Sequence, residues 1–165
     1  MCQILNAKVE SGDWGDTLAI AHDVCEGEFS GIFKRDYDGN TREDKKWRGT
    51  FRLRLPKDDG SEYDVFKKKS LGNFIWAVEE SNPGFKWNWQ EDKLVGCRFG
   101  ATLQEEEYEK NDGSIGTRLV VKDIKTVKQI MDGDFKVPTT KKLERTAAPV
   151  SDFAVLNDSD DSLPF

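Results

Sequence analysis

Apolar residues recur at every second position in stretch after stretch of this chain. That repeat constrains the fold most, because a segment with a two-residue period buries one face only as a strand. In CQILNAKVE (2–10), Leu5, Ala7 and Val9 share a face. In TLAIAHDV (17–24), Leu18, Ile20, His22 and Val24 do so, and SGDWGD between the two reads as a turn. EGEFSGIFKRDY (26–37) is expected to continue the second strand past a glycine-marked bend. KWRGTFRLRL (46–55) alternates most regularly, with Trp47, Phe51, Leu53 and Leu55 on one side and Arg48, Arg52 and Arg54 on the other. KLVGCRFGATLQEEEY (93–108) places Val95, Cys97, Phe99, Ala101 and Leu103 together, with Gly96 and Gly100 opposite, where another backbone can approach. TRLVVKDIKTVKQI (117–130) completes the series, and its alternation slips at Lys122 and Asp123, the mark of a β-bulge.

One stretch breaks the period. In SLGNFIWAVEESNPG, Leu71, Phe74, Ile75 and Val78 fall at helical spacing, with Ser70 placed as N-cap and Asn82, Pro83 and Gly84 as the stop. The order is three strands, one helix, two strands. Long strands with glycines where a sheet would curve suit a sheet closed on itself, which removes exposed edges. The reading is therefore a mainly all-β protein with an OB-fold: a five-stranded Greek-key barrel with one helix between strands 3 and 4. A half-open barrel and an α+β sandwich share that order. The barrel spans 1–138. From there TTKKLERTAAPVSDFAVLNDSDDSLPF loses periodicity and reads as a flexible linker (139–157) and a disordered acidic tail (158–165).

Charge matters here by location. The net charge of -6 argues against nucleic acid, but residues 150–165 hold four aspartates and no Lys or Arg. Without those four, 27 acidic residues face 25 basic ones, and KKWRGTFRLR (45–54) carries five Lys or Arg and no acid. No stretch approaches the roughly 20 apolar residues of a membrane span, so no membrane partner is expected. MCQILNAKVE lacks the basic and apolar regions of a signal peptide, and three cysteines at scattered spacing fit reduced thiols. A cytoplasmic protein is expected.

Arg48, Arg52 and Arg54 form a comb of forked donors at the two-residue strand repeat, about 6–7 Å, near the phosphate spacing of an extended single strand. Lys45 and Lys46 lead into it, and Lys67, Lys68 and Lys69 are candidates to lie nearby. Aromatics interleave: Phe33 and Tyr37 before the comb, Trp47 and Phe51 within it, Trp87 and Trp89 after the helix. Non-specific single-strand binders combine a basic groove with rings on which bases stack, each stack worth about 1–3 kcal/mol. The opposing reading is equally physical: a charged strand face is simply solvated, and the rings fill the core. His22 with Cys25, Cys2 and Cys97 is a weak zinc pattern, since residues three apart on a strand face opposite ways. Glu105, Glu107, Asp123 and Lys125 supply the residue types of a Mg²⁺-dependent nuclease, or simply a solvated hairpin end.

The chain ends NDSDDSLPF. Aspartates followed by Leu-Pro-Phe make a charged lure with a stiffened aromatic hook. This end resembles the acidic tip of bacterial single-stranded DNA-binding proteins, an Asp run closed by Ile-Pro-Phe, with a Ser interrupting here and Leu163 in place of the Ile. The resemblance implies docking of replication, recombination and repair enzymes through Asp160, Asp161, Leu163, Pro164 and Phe165. EGEFSGIF, EESNPGFKWNW and GDFKVP resemble stretches of small proteins from phage replication modules. Bacterial single-stranded DNA-binding proteins commonly form tetramers, so a homo-oligomer belongs to the expectation from the tip.

The expected function is thus a non-enzymatic, cofactor-free single-stranded DNA-binding protein of phage or prophage replication or recombination. It would protect unpaired strands and recruit enzymes through its tip. A protein-interaction adaptor of a replication module and the Mg²⁺ nuclease are the alternatives.

Overall fold

Alternation in Thr17–Val24 builds the strand at the centre of the packing. Leu18, Ile20, His22 and Val24 are all buried, as their shared face predicts. In the computed structural model, which describes residues 1–143, this strand (β2) pairs antiparallel with β1 (Cys2–Glu10) on one side and β3 (Thr50–Arg54) on the other. β4 (Arg98–Glu109) meets β1 only at Cys2–Phe99 and Gln3–Arg98, then pairs along its length with β5 (Ile115–Lys125). The result is one five-stranded antiparallel sheet in the order β3-β2-β1-β4-β5. It is not closed: among the described residues no ladder joins the edge strands β3 and β5. Among the described residues the fold is mainly β, with three helices rather than one. The tail residues Asp160, Asp161, Leu163, Pro164 and Phe165, and the linker from 144 on, lie outside the described residues.

Two bulges set the phase of the sheet. Ile4 faces His22 but Asn6 faces Ala21, so Leu5 is the extra residue. Cys2, Ile4 and Ala7 are therefore buried while Leu5 is 46% exposed, correcting the Leu5–Ala7–Val9 face. On the other pair, Thr102 faces Asp123 and Leu103 faces Val121, which leaves Lys122 as the bulge where the pattern slipped. A Cβ at Gly100 would meet the Thr126 and Lys125 backbone, the close approach expected there.

Segment 26–37 does not extend β2; it folds into α1 (Ile32–Gly39). The cause is Asp23, whose carboxylate accepts the N–H groups of Val24, Phe33 (3.0 Å) and Lys34 (3.0 Å) and so anchors a helix N-terminus. The strand expected over 46–55 is confined to Thr50–Arg54, because the Trp47 indole N–H reaches the His22 and Gly49 carbonyls and holds the approach outside the ladder. The central helix α2 runs Glu62–Ser81, beginning well before Ser70. Ser61 caps it, accepting the Asp64 N–H, while the enclosed Asp64 carboxylate accepts the N–H groups of Lys57 (2.6 Å) and Asp58 (3.1 Å). Its first turns expose Tyr63, Val65 and Phe66, so no apolar stripe announces them. The helix ends at Asn82 as predicted. Residues Glu91–Leu94 form a 3₁₀ turn ahead of β4, which leaves Val95 exposed rather than on the apolar face. After β5, a Thr126–Gln129 capping box starts α3 (Val127–Met131). The first residues of the expected linker lie along the free edge of β4: the Lys141 N–H donates to the Glu105 carbonyl (2.8 Å) and Lys141 accepts from Glu107 (2.9 Å).

The core joins Leu71, Phe74 and Val78 of α2 to Ile4, Leu18, Ile20, Leu94 and Phe99. His22 sits edge-on to Phe33 (5.3 Å), Phe51 (5.4 Å) and Phe99 (5.7 Å). Neither ring nitrogen of His22 has a hydrogen-bond partner among the described residues. Burial pushes its pKa down from 6.5 to about 4, against weaker pulls from Asp23 and from Ile20 and Gly49 backbone outside hydrogen-bond geometry. Above about pH 6.5 the ring is neutral in both folded and unfolded chains and adds no slope. Below it the unfolded chain binds a proton that the folded chain refuses until about pH 4. Stability should therefore fall as pH drops through that window, by up to about 3 kcal/mol. Urea midpoints measured from pH 7 to pH 4 should show the decline, and His22→Phe should flatten it. An equal slope in both proteins would mean the imidazole is not shielded.

Candidate nucleic-acid interface

β3 and its edge carry most of the candidate residues. Phe51 and Leu53 turn inward against the core, so Thr50, Arg52 and Arg54 turn out. Strand register lays out three rows on the outer face: Asn6–Ala21–Thr50, Lys8–Ala19–Arg52 and Glu10–Thr17–Arg54. Small residues on the central strand make a shallow trough with cations on its banks. Glu10 crosses it, bound by Lys8 at 2.7 Å and Arg52 at 3.1 Å, and those two partners hold its carboxyl below the usual range. Among the described residues no carboxylate lies within 4 Å of Arg54.

The predicted three-arginine comb is split. Arg48 precedes the strand and lies 3.6 Å from Asp36 of α1, on the open edge rather than beside Arg52 and Arg54. The reason is Gly49, whose carbonyl takes the His22 N–H at 2.7 Å. A Cβ at Gly49 would run into the His22 carbonyl and the Phe33 ring, so the chain crosses there at van der Waals contact. Lys67 and Lys68 are not part of this face. Lys67 is buried on α2, 3.8 Å from Asp64 and over the Tyr63 ring, and Lys68 binds Asp58 at 2.6 Å.

The predicted aromatics fall at both ends of β3. Before it, Tyr37 tilts against the half-buried Trp47 at 5.9 Å, and Lys45 lies 4.5 Å over the Tyr37 ring; Lys46 is exposed. Phe33 is only 4% exposed and forms a wall instead of an outward platform. Beyond β3, past Pro56, Trp87 and Trp89 stand 4.8 Å apart at 40° over a groove of about 410 Å³ beside Leu71 and Ile75. The Trp87 indole donates to the Gln90 carbonyl, and Trp89 is 66% exposed at φ 68°. That left-handed backbone is uncommon for a bulky residue and holds the ring out.

Sequence reading missed three residues. Trp14, in the β1–β2 turn, is 81% exposed. That turn lies against the end of β3: Lys57 packs on Gly15, and the Leu55 N–H donates to the Asp16 carbonyl. A large ring in a turn of Gly, Asp and Ser was the available signal. Tyr108 and Arg118 belong to the β4–β5 hairpin, with Arg118 5.5 Å over the Tyr108 ring and 2.9 Å from Glu106. Their approach to β3 was not legible, because it depends on how the open sheet curls.

Where β3 and β5 face each other a groove opens, about 490 Å³ over His22 and continuing into about 320 Å³ beside α1; Phe33, Arg48, Arg118 and Leu119 line both parts. Glu105, Glu107, Asp123 and Lys125 do not converge. Asp123 pairs with Thr102, and Glu105 and Glu107 lie three and five residues further along β4, about 10 and 17 Å by strand rise. Glu105 and Glu107 bind Thr140 and the Leu143 N–H, fastening the terminal segment to β4. Among the described residues no group of three or more His, Cys, Asp or Glu is arranged to hold a metal ion. Cys2 and Cys97 are buried, and burial pushes the Cys2 thiol up to about 12. No helix among the described residues is long and apolar enough to cross a membrane. Comparison with known proteins finds no matching family model and no curated protein of significant similarity.

Gly49 gives a direct test of this arrangement. Gly49→Ala should destabilise the fold by about 1–3 kcal/mol through overpacking. Gly39→Ala, with open space at its Cβ position, should change it by less than about 0.5 kcal/mol. Thermal melts followed by circular dichroism decide; equal melting temperatures for the two variants would contradict the tight crossing.

Proposed function

We propose that this chain is a single-stranded DNA-binding protein that protects unpaired strands in phage or prophage replication or recombination. The observation that carries the reading is the distribution of cations and rings along β3. Lys45, Tyr37 and Trp47 stand at its start, Arg52 and Arg54 along its outer face, and Trp14, Trp87 and Trp89 near its end. β3 spans five residues, about 17 Å by strand rise, and the rings on either side of it lengthen that track to several nucleotides at the spacing noted above. Binding of several nucleotides is usual for one OB-fold domain. The order β3-β2-β1-β4-β5, with a helix between β3 and β4, is that of an OB barrel opened between its third and fifth strands, which supports that finer fold reading.

Exposed ion pairs such as Arg52–Glu10 contribute little to stability, so phosphate can displace the carboxylate at small cost. The tip residues Asp160, Asp161, Leu163, Pro164 and Phe165 then serve to recruit replication, recombination and repair enzymes. A second reading, the protein-binding adaptor, is favoured by the exposed Tyr63, Phe66 and Trp76 on α2.

Titration of tryptophan fluorescence with oligo-dT, with and without Mg²⁺, separates the readings. Saturable quenching without cleavage is expected. The logarithmic salt slope should be about -0.7 per neutralised phosphate, and Arg52→Ala and Arg54→Ala should each reduce it by about that amount. Glu10→Gln should tighten binding several-fold at low salt by freeing Arg52. No quenching would leave the adaptor; cleavage lost in Asp123→Ala would mean the nuclease. Deleting 158–165 should tighten binding at low salt and abolish enzyme capture; unchanged affinity would exclude competition between tip and strand.

A further inference from the structure

The groove at the open sheet edge holds an unusual floor. His22 is 1% exposed, lines the 490 Å³ space, and has no partner for either ring nitrogen among the described residues. A neutral imidazole offers one donor and one acceptor, and buried groups of that kind are nearly always satisfied. The walls are flat rings: Phe33 and Phe51 stand edge-on to His22, and Tyr108 lies under the Arg118 guanidinium. Two arginines, Arg48 and Arg118, flank the space. Among the described residues each has one carboxylate partner, Asp36 at 3.6 Å and Glu106, which also binds Lys141, at 2.9 Å.

A space lined by rings, with forked cations beside it, matches a planar heterocycle carrying a phosphate. We propose that this pocket receives one unstacked nucleobase of the bound strand, its ring among Phe33, Phe51 and Tyr108 and its phosphate held by Arg48 and Arg118. The proposal rests on the single-strand reading above and adds to it. The outer trough of β3 grips the backbone, whereas the groove between β3 and β5 takes a base. Both His22 ring nitrogens lie beneath the surface, so the imidazole reports on the pocket through its neighbours Phe33 and Phe51.

The test uses the full chain and NMR of the His22 ring, the only histidine in the sequence. Probes are dTMP, dCMP, dAMP and dGMP, with deoxyribose 5-phosphate and inorganic phosphate as controls, followed by oligo-dT. At least one nucleotide should shift the His22 signals saturably and bind at least tenfold tighter than deoxyribose 5-phosphate. Arg118→Ala, at an exposed position of β5, should weaken that binding at least fivefold, with circular dichroism confirming that the variant is folded. Equal binding of nucleotides and sugar phosphate would overturn the pocket, as would His22 signals unmoved at saturation. If oligo-dT quenches tryptophan while the His22 signals stay still, the pocket fails and the single-strand function stands. If a mononucleotide binds and oligo-dT does not, the pocket stands and the single-strand function fails.

Discussion

Phe51 holds the edge of this protein in place. Among the described residues β3 has a ladder on one side only, against β2. Its position therefore rests on what its inward side chains touch. Phe51 meets His22 and Phe74 at 5.4 Å and Phe99 at 5.8 Å, joining the edge strand to the central strand, the long helix and β4. Each such ring pair contributes about 0.5–1.5 kcal/mol beyond the area it buries. Through that contact Arg52 and Arg54 are held outward and the groove beneath is kept at its width.

The open edge follows from pairing elsewhere. β4 touches β1 for only two residues before turning to β5, so the sheet splays and β5 ends opposite β3 without reaching it. A closed barrel would satisfy the two edges with each other and fill the space between them. Here the edges border a polar and aromatic groove. Among the described residues, the segment 139–143 lies along the free edge of β4, and no strand pairs with the outer edges of β3 and β5. Acidity is likewise arranged locally: Glu10 neutralises Arg52, Asp36 faces Arg48 and Glu106 faces Arg118. All three arginines are exposed, and exposed ion pairs are weak, the condition under which a polyanion can exchange for the carboxylates.

Much of the frame was legible. The bounds of β1 and β2, the buried face of β2, the bulge at Lys122 and the end of α2 at Asn82 came from period and punctuation, signals each stretch carries within itself. Where the pattern misled, a contact distant in sequence had intervened. Asp23 captured the N–H groups of Phe33 and Lys34 and made a helix where alternation suggested a strand. Asp64, tied back to Lys57 and Asp58, started α2 through residues with no buried stripe. The candidate site divided the same way. Arg52 and Arg54 shared a face as their spacing required, while Arg48 was turned to the groove by the crossing at Gly49.

By itself, then, the sequence determined where strands lie and which of their faces are apolar, because side-chain alternation is a property of the local backbone. It also determined that basic residues concentrate in 45–54. Only the tertiary structure decided which cations share a surface, that Tyr108 and Arg118 come to face Phe33 and Phe51, and that His22 lies unpartnered beneath them. Those relations depend on sheet curl and strand order, which are fixed by packing between elements up to a hundred residues apart and leave no mark within any single stretch.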